Sequence, residues 1–533
     1  MNQRACLFLL PLFLLPLCLL ACDALFRPLR SNHPENCQVN ANLCGSGQVC
    51  DPVLERCVTA AASDLSSCPP CPAGQACSAA KGVCEPVVTF DLISISPRTA
   101  TVGTTPQVAL RGIGFEPGMT VTFNGMPASN VTVTAQDQAT VQVPAMTQAG
   151  LVRVEIGKPG MTVGRDALFG YAWLNINYVA DTFLSTDMDS PGSLVVSDLN
   201  KDQKLDVAVV HGSRASVFLS LAQASTAGSQ FLLGSLSLDG QLASTQLNSE
   251  AALDLVYTDR ATSRALSIVN NGSGALNVPP QTLNLPGSPL ATALADFNED
   301  GLVDLVLTKP SPDQLYVQLG LGGGAFNATA NTIIGVGPKA CALGTGFFNA
   351  DMRPDIALLE CDGQGVRVYL NMGGGNFSVP LNTATRQGVS APQHMAITDF
   401  NLDGRADIVV LNGATGMAGH LSILPGLGNG SFGNTATVSV PPDYTSVAMA
   451  DVDGDGLPDA VLGPTSNVTS ISLAVLLNDN GTTLRPPQLF AAPATHRTGF
   501  HSLAVGDVTG DGKADILYSS ATPDVVLLRN QSN

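Results

Sequence analysis

Residues 451–459 read DVDGDGLPD: Asp451, Asp453, Asp455 and Asp459 fall within nine residues, with no lysine or arginine among them. At contact distance each carboxylate pair repels by about 1 kcal/mol in water and several-fold more near a protein surface. Such crowding is tolerated in a fully solvated loop or around a cation. The stretch is one of a series. DLNKDQKLD (198–206), QLNSEAALD (246–254), DFNEDGLVD (296–304), FFNADMRPD (347–355), DFNLDGRAD (399–407) and DVTGDGKAD (507–515) share its pattern, and the final aspartates lie 48, 50, 51, 52, 52 and 56 residues apart. Seven units at a near-constant period mean a repeat architecture.

Each unit follows one plan. A short apolar run precedes the acidic loop (HMAIT, SVAMA, SLAVG) and another follows it (IVVL, AVLG, ILYS). A third run then leads to a Gly/Asn-rich turn such as LNMGGGNF or LPGLGNGSF. Runs of this length between tight turns read as a four-stranded antiparallel sheet. Near-continuous apolar runs, rather than strict alternation, indicate sheets covered on both faces, and seven such sheets close into a β-propeller. The last unit ends soon after its third strand, whereas spare strand-like sequence, LNINYVADTFLS (174–185), precedes the first. That segment is expected to pair with the last unit as its outer strand and hide the edge.

The repeats resemble the FG-GAP/VCBS family, whose calcium-bearing blades form integrin α-chain heads and occur in many bacterial surface proteins; the resemblance covers about residues 174–533. The loop chemistry itself points to calcium, which takes six to eight oxygen ligands. In 451–459 the alternate side chains of Asp451, Asp453 and Asp455 can point to one centre. Gly456 would permit the sharp turn, the Leu457 carbonyl can add a ligand, and Asp459 closes the set. The corresponding candidates are Asp198, Asn200, Asp202 and Asp206; Asp296, Asn298, Asp300 and Asp304; Asp399, Asn401, Asp403 and Asp407; and Asp507, Thr509, Asp511 and Asp515. An EF-hand would need a glutamate at position twelve, where Leu307, Val410, Leu462 and Tyr518 stand instead. Magnesium, which retains several waters, suits a loop so rich in protein oxygens less well. The rival reading is a metal-free Asp/Asn/Gly turn.

The copies differ. Gln203 stands where glycine is expected in unit one, so weaker binding is expected there. Unit two, with Gln246, Asn248, Glu250 and Asp254, reads as empty or weak, and unit four, with Phe347 and Met352 at the first-aspartate and glycine positions, as non-binding. Unit four also holds Cys341 and Cys361, each ten residues from Asp351. In a hairpin centred there they face each other across adjacent strands, either as a disulfide or as two buried thiols.

The 533-residue chain is all-β in pattern, and its formal net charge of −18 becomes −19 without residues 1–21. A surface this acidic repels phosphate, so nucleic acid is not an expected partner. Residues 1–21 have the anatomy of an export signal. LLAC (19–22) resembles the bacterial lipobox, which implies cleavage before Cys22, acylation of its thiol, and attachment to the cell envelope, at the outer membrane or cell surface rather than the inner membrane. An ordinary signal peptide and a membrane anchor are the alternatives. After a linker (22–36), residues 37–87 hold a tandem module: CGSGQVCDPVLERC (44–57) matches CPAGQACSAAKGVC (71–84). Cys37, Cys44, Cys50, Cys57, Cys68, Cys71, Cys77 and Cys84 read as a disulfide framework of open connectivity, against a redox or zinc reading of CPPC. Residues 88–172 lack cysteine and alternate Val, Thr and Gly between Pro-Gly and Asn-Gly turns. SPRTATVGTTPQVALRGIGF (96–115) and VTFNG (121–125) resemble an IPT/TIG domain, an immunoglobulin-like sandwich that acts as a spacer or binding module.

The six histidines share no zinc spacing, and no nucleophile elbow, P-loop or dinucleotide fingerprint is present. The sequence therefore reads as a lipid-anchored, non-enzymatic, calcium-stabilised binding or adhesion module for protein or glycan. A propeller-scaffold hydrolase or lyase and a structural envelope-assembly protein are the alternatives.

Overall fold

The structure, a computed structural model, describes residues 90–533 apart from 187–188, 220, 222–227, 249–251, 310–312, 331, 337–339, 362–364, 385–390, 415, 466–471, 494, 497–498 and 533. Before residue 90 it describes four short strands. These form two hairpins, Gln48–Asp51 with Arg56–Thr59 and Gln75–Ser78 with Val83–Pro86, whose registers set Cys50 opposite Cys57 and Cys77 opposite Cys84. Cys22, Cys37, Cys44, Cys68, Cys71 and Glu250 lie outside the described residues. All described elements are strands. The chain divides into two compact units, one built from residues before Gly170 and the other from Gly170–Asn533 with Thr99–Gly103 and Met146–Leu151.

The smaller unit is a two-sheet sandwich. Gln107–Ile113 alternates exposed and buried residues, as a strand with one face on a core must. Val108, Leu110, Val121, Phe123, Val141, Val154 and Ile156 fill that core, with Phe123 and Phe169 in edge-to-face contact at 5.1 Å. The Asn-Gly signal is realised at Asn124 and Gly125, both left-handed (φ 48° and 77°), in the turn joining Thr120–Phe123 to Met126–Pro127.

The larger unit contains seven four-stranded antiparallel sheets. In the sixth the order is Tyr444–Ala450, Asp459–Pro464, Ser472–Leu476, Gln488–Ala491. The acidic loop joins the first two strands of every sheet, and its final aspartate opens the second strand. Ser197 pairs with Asp206, Thr245 with Asp254, Ala295 with Asp304, Gly346 with Asp355, Thr398 with Asp407, Ala450 with Asp459, and Gly506 with Asp515. Second strands such as Asp206–His211 and Asp355–Glu360 are buried at every residue. Their two faces are covered by neighbouring sheets: Val210 and Val217 of the first sheet share a core with Tyr257 and Ile268 of the second.

First strands lie side by side around a ring, and Ser502–Gly506 of the last sheet lies against Pro191–Ser197 of the first. Tyr178–Ser185 pairs with Asp524–Asn530 as the outermost strand of the last sheet, so the two ends of the seven-sheet segment close the circle as the missing strand required. The Tyr178 hydroxyl donates to the Ala514 carbonyl at 3.0 Å. In the fourth sheet Cys341 and Cys361 form a disulfide with Cα atoms 5.8 Å apart, Cys341 occupying a bulge between the Ala340–Glu360 and Ala342–Leu359 pairs.

Candidate metal centre

The acidic loops are first of all self-folding turns. In unit three, Asp296 Oδ1 accepts the amides of Glu299 and Asp300 (2.7 and 3.2 Å), and its Oδ2 accepts that of Gly301 (2.8 Å). Asn298 Oδ1 accepts the Asp300 amide at 3.1 Å, and Asp300 Oδ1 accepts the Leu302 amide at 2.8 Å. All of these bonds except that of the fourth-position amide recur at Asp399, Asn401 and Asp403, and at Asp198, Asn200 and Asp202. In the last two loops Asp451 and Asp507 accept the amides of Gly456 and Gly512, both at 2.8 Å. The wrap requires left-handed backbone at the sixth position, where Gly301, Gly404, Gly456 and Gly512 have φ of 82–87°. Gln203 (φ 66°) and Met352 (φ 59°) adopt it without glycine, so the turn of units one and four survives the substitution.

The final aspartate has a structural duty the sequence reading missed. In all seven units it is fully buried, and one oxygen accepts a loop amide: Leu199, Leu247, Phe297, Phe348, Phe400, Val452 or Thr509. In six units the other oxygen accepts an amide 15–19 residues further on, at or just past the end of the third strand: Asn270, Gly320, Asn371, Gly426, Asn478 or Asn530. Asp206, Asp304, Asp407, Asp459 and Asp515 therefore anchor the loop to its own sheet, whatever else they hold. Asp254 and Asp355 do the same in the two loops judged poor for metal. Four of the amide donors carry a second device. Asn270, Asn371, Asn478 and Asn530 are buried, and each Nδ2 donates to a carbonyl of the preceding sheet's acidic loop: Leu199, Phe297, Phe400 or Val452, at 2.6–2.9 Å.

The loops diverge in charge. In units one, three and five the asparagine Nδ2 donates to the next aspartate, Asp202, Asp300 or Asp403 (3.2, 2.8 and 3.3 Å), which offsets part of its charge. In unit four the Arg353 guanidinium lies between Asp351 (3.4 Å) and Glu299 (3.1 Å), while Phe347 and Met352 are exposed. The sixth loop has no such relief. Its Asp453, Asp455 and Asp459 are buried, and ligand oxygens of Asp451, Asp453 and Asp459 lie within 4.8 Å of one another. Among the described residues no other set of three acidic side chains brings its ligand oxygens so close together. Burial, then the neighbouring carboxylates, pushes Asp453 up to about 6 and Asp455 up to about 8, and raises Asp459 well above the usual carboxylate range. Arg485 lowers Asp453 and Asp455 only weakly, and it pairs with Asp479 at 3.7 Å. The donor set is all oxygen, with neither histidine nor thiol, which suits a hard divalent cation.

A second constellation, invisible in the spacing, comes from strand register. Ser216 Oγ lies 2.7 Å from His211 Nε2, whose Nδ1 lies 3.5 Å from Asp189. The order is that of a hydrolytic triad. Ser216 and His211 are fully buried, however, so no substrate reaches the hydroxyl in this arrangement.

Residues 348–410 and 399–462 match the FG-GAP-like repeat, and residues 92–171 match the IPT/TIG domain. No curated protein matches the chain. Among solved structures, BBS1N in complex with ARL6DN is 14% identical, with 67% of this chain and 99% of that chain covered and a TM-score of 0.43. An auxiliary nutrient binding protein from Bacteroides ovatus is 13% identical, covering 83% of this chain and 98% of its own, at a TM-score of 0.37. A protein of the same description from Bacteroides thetaiotaomicron is 10% identical, with the same coverages and a TM-score of 0.36. Likeness at this level carries no functional argument. The chain is thus an all-β protein with an IPT/TIG domain match at 92–171, followed by a propeller-like ring of which residues 348–462 match the FG-GAP-like repeat.

Proposed function

We propose that the chain is a non-enzymatic binding or adhesion module of the cell envelope, lipid-anchored through Cys22, with a ring stabilised by calcium. The observation that carries the calcium reading is the sixth loop. The carboxylates of Asp451, Asp453 and Asp459, the last two buried, are held within 4.8 Å of one another, and no basic side chain is ion-paired with them among the described residues. Asp451, Asp453, Asp455 and Asp459 would hold the ion with the Leu457 carbonyl, and the ion would supply the positive charge the loop lacks. Units three, five and seven offer weaker versions, and unit four has an arginine in its place. The Ser216–His211 pair is buried and offers no accessible nucleophile in this arrangement.

The test is thermal melting of the full chain in calcium, in magnesium and in chelator. A ligand that binds only the folded state at a hundred times its dissociation constant adds about 2.7 kcal/mol per site. Calcium should raise the melt by several degrees and magnesium by much less. Equal melts in calcium and chelator would sink the calcium reading. Capture from envelope fractions, with and without chelator, tests the binding role.

A further inference from the structure

We infer that the end of the ring opposite the acidic loops carries a binding site for a neutral saccharide of one or two residues, in a cavity at the mouth of the central channel. This deepens the binding role proposed above and rests on it. The cavity has a volume of about 590 Å³ and is lined from the first strands of six sheets. Ser193, Gln241, Thr292, His394, Ser446 and Ser502 belong to the starts of those strands, whereas the acidic loops leave from their far ends. The size falls within the roughly 300–1,000 Å³ of small-molecule clefts.

Chemistry selects the ligand. Among the described residues the polar lining is hydroxyl, amide and imidazole, with Asp239 the single carboxylate and neither lysine nor arginine. Among those residues a phosphate, sulfate or carboxylate ligand finds no counter-charge, while a polyol finds partners that donate and accept without a fixed charge to desolvate. Leu194, Val447 and Leu503 supply apolar wall for its C–H faces.

The two histidines differ in role. His501 Nδ1 lies 2.7 Å from the Pro191 carbonyl, which can only accept, so Nδ1 carries the proton and the neutral ring keeps Nε2 as a bare acceptor on an exposed side chain. His394 Nδ1 is buried with no hydrogen-bond partner, which leaves the proton of the neutral ring to Nε2 as a donor. Burial also lowers the pKa of His394 and favours that neutral form.

The experiment titrates the full chain, in calcium, with maltose, lactose, cellobiose and methyl glucoside by calorimetry and ligand-observed NMR, with glucuronate and glucosamine as charged comparisons. At least one neutral sugar should bind saturably. His501→Ala should weaken it about fivefold, the loss of one hydrogen bond. Ser446→Trp and Ala243→Phe, which fill the cavity, should abolish binding in whichever of them melts like the parent. Absence of saturable binding by every neutral sugar would mean a water-filled channel only and would overturn the site. So would binding undiminished in a folded cavity-filling variant, or binding of the charged sugars alone. Sugar binding with no calcium effect on the melt would overturn the metal reading and leave this site standing.

Discussion

Replacing Asp453 by asparagine separates the two readings of the sixth loop, because they predict opposite signs. Asp453 Oδ1 accepts the Asp455 amide at 3.2 Å, as Asn298 and Asn401 Oδ1 accept the equivalent amides at 3.1 and 2.9 Å, so an asparagine there preserves the turn. Its Nδ2 can also donate to Asp455, as Asn298 Nδ2 donates to Asp300 at 2.8 Å. What the substitution removes is charge. Two full charges 4.8 Å apart repel by about 3 kcal/mol at an effective dielectric near 20. Partial protonation relieves some of that, since Asp455 is pushed up to about 8. In chelator, Asp453→Asn should therefore stabilise the protein by about 1–3 kcal/mol, or about 1–2 °C of melting temperature for each kcal/mol in a unit this large. In calcium the variant loses a charged ligand, so its calcium-induced shift should shrink and the gap to the parent close or reverse. Melts of both proteins in millimolar calcium and in chelator are the assay. A variant that melts below the parent in chelator, with an undiminished calcium shift, would show that Asp453 serves the turn and not an ion.

Met352→Gly should raise the melt equally in calcium and chelator, because Met352 holds φ 59° with 82% of its surface exposed; relief of the left-handed backbone is worth about 1 kcal/mol. Asn478→Ala should cost about 2–4 kcal/mol in urea unfolding, since it leaves the buried Phe400 carbonyl and the part-buried Pro458 carbonyl without the donor now at 2.9 and 3.0 Å. Burial pushes Asp355, Asp407 and Asp515 up to about 6, so between about pH 4 and 6 the folded chain keeps protons that the unfolded chain releases. The contribution of these groups to ion-free stability is thus largest near the bottom of that window and is lost as pH rises through it. Urea midpoints in chelator should fall from pH 4.5 to 7, and calcium, which needs deprotonated ligands, should reverse the trend.

What the sequence made legible was whatever a few adjacent residues determine. Where present, the first aspartate and the glycine of a loop are dictated by the loop's own amides, and the final aspartate recurs in every copy, so their spacing revealed the period and the hairpins. The strand missing from the last unit exposed the closure at Tyr178–Ser185, and equal distances from Asp351 located the Cys341–Cys361 bond. Features resting on distant partners stayed hidden. The Asn478 amide reaches Phe400, 78 residues earlier, across a sheet boundary that no local pattern encodes. The Ser216–His211 contact depends on the pairing of Val209 with Ser216, and the channel lining on six separate sheets.

The unequal wear of the repeats follows from this division of labour. The final aspartate is present in all seven units, yet the first is absent from units two and four. A residue needed only for an ion would be free to change wherever the other ligands had gone. Asp254 and Asp355 persist beside Gln246 and Phe347 because each holds two backbone amides that would otherwise be buried and unpaired, a loss of about 1–3 kcal/mol for each such group. Counting final aspartates therefore counts sheets, not cations. The first, third and fifth loop positions report on the ion, and there the sixth unit alone combines three carboxylates with burial of two of them. Occupancy should accordingly be graded around the ring, strongest at Asp451–Asp459, weaker in units one, three, five and seven, and lost at unit four, where Arg353 already sits beside Asp351.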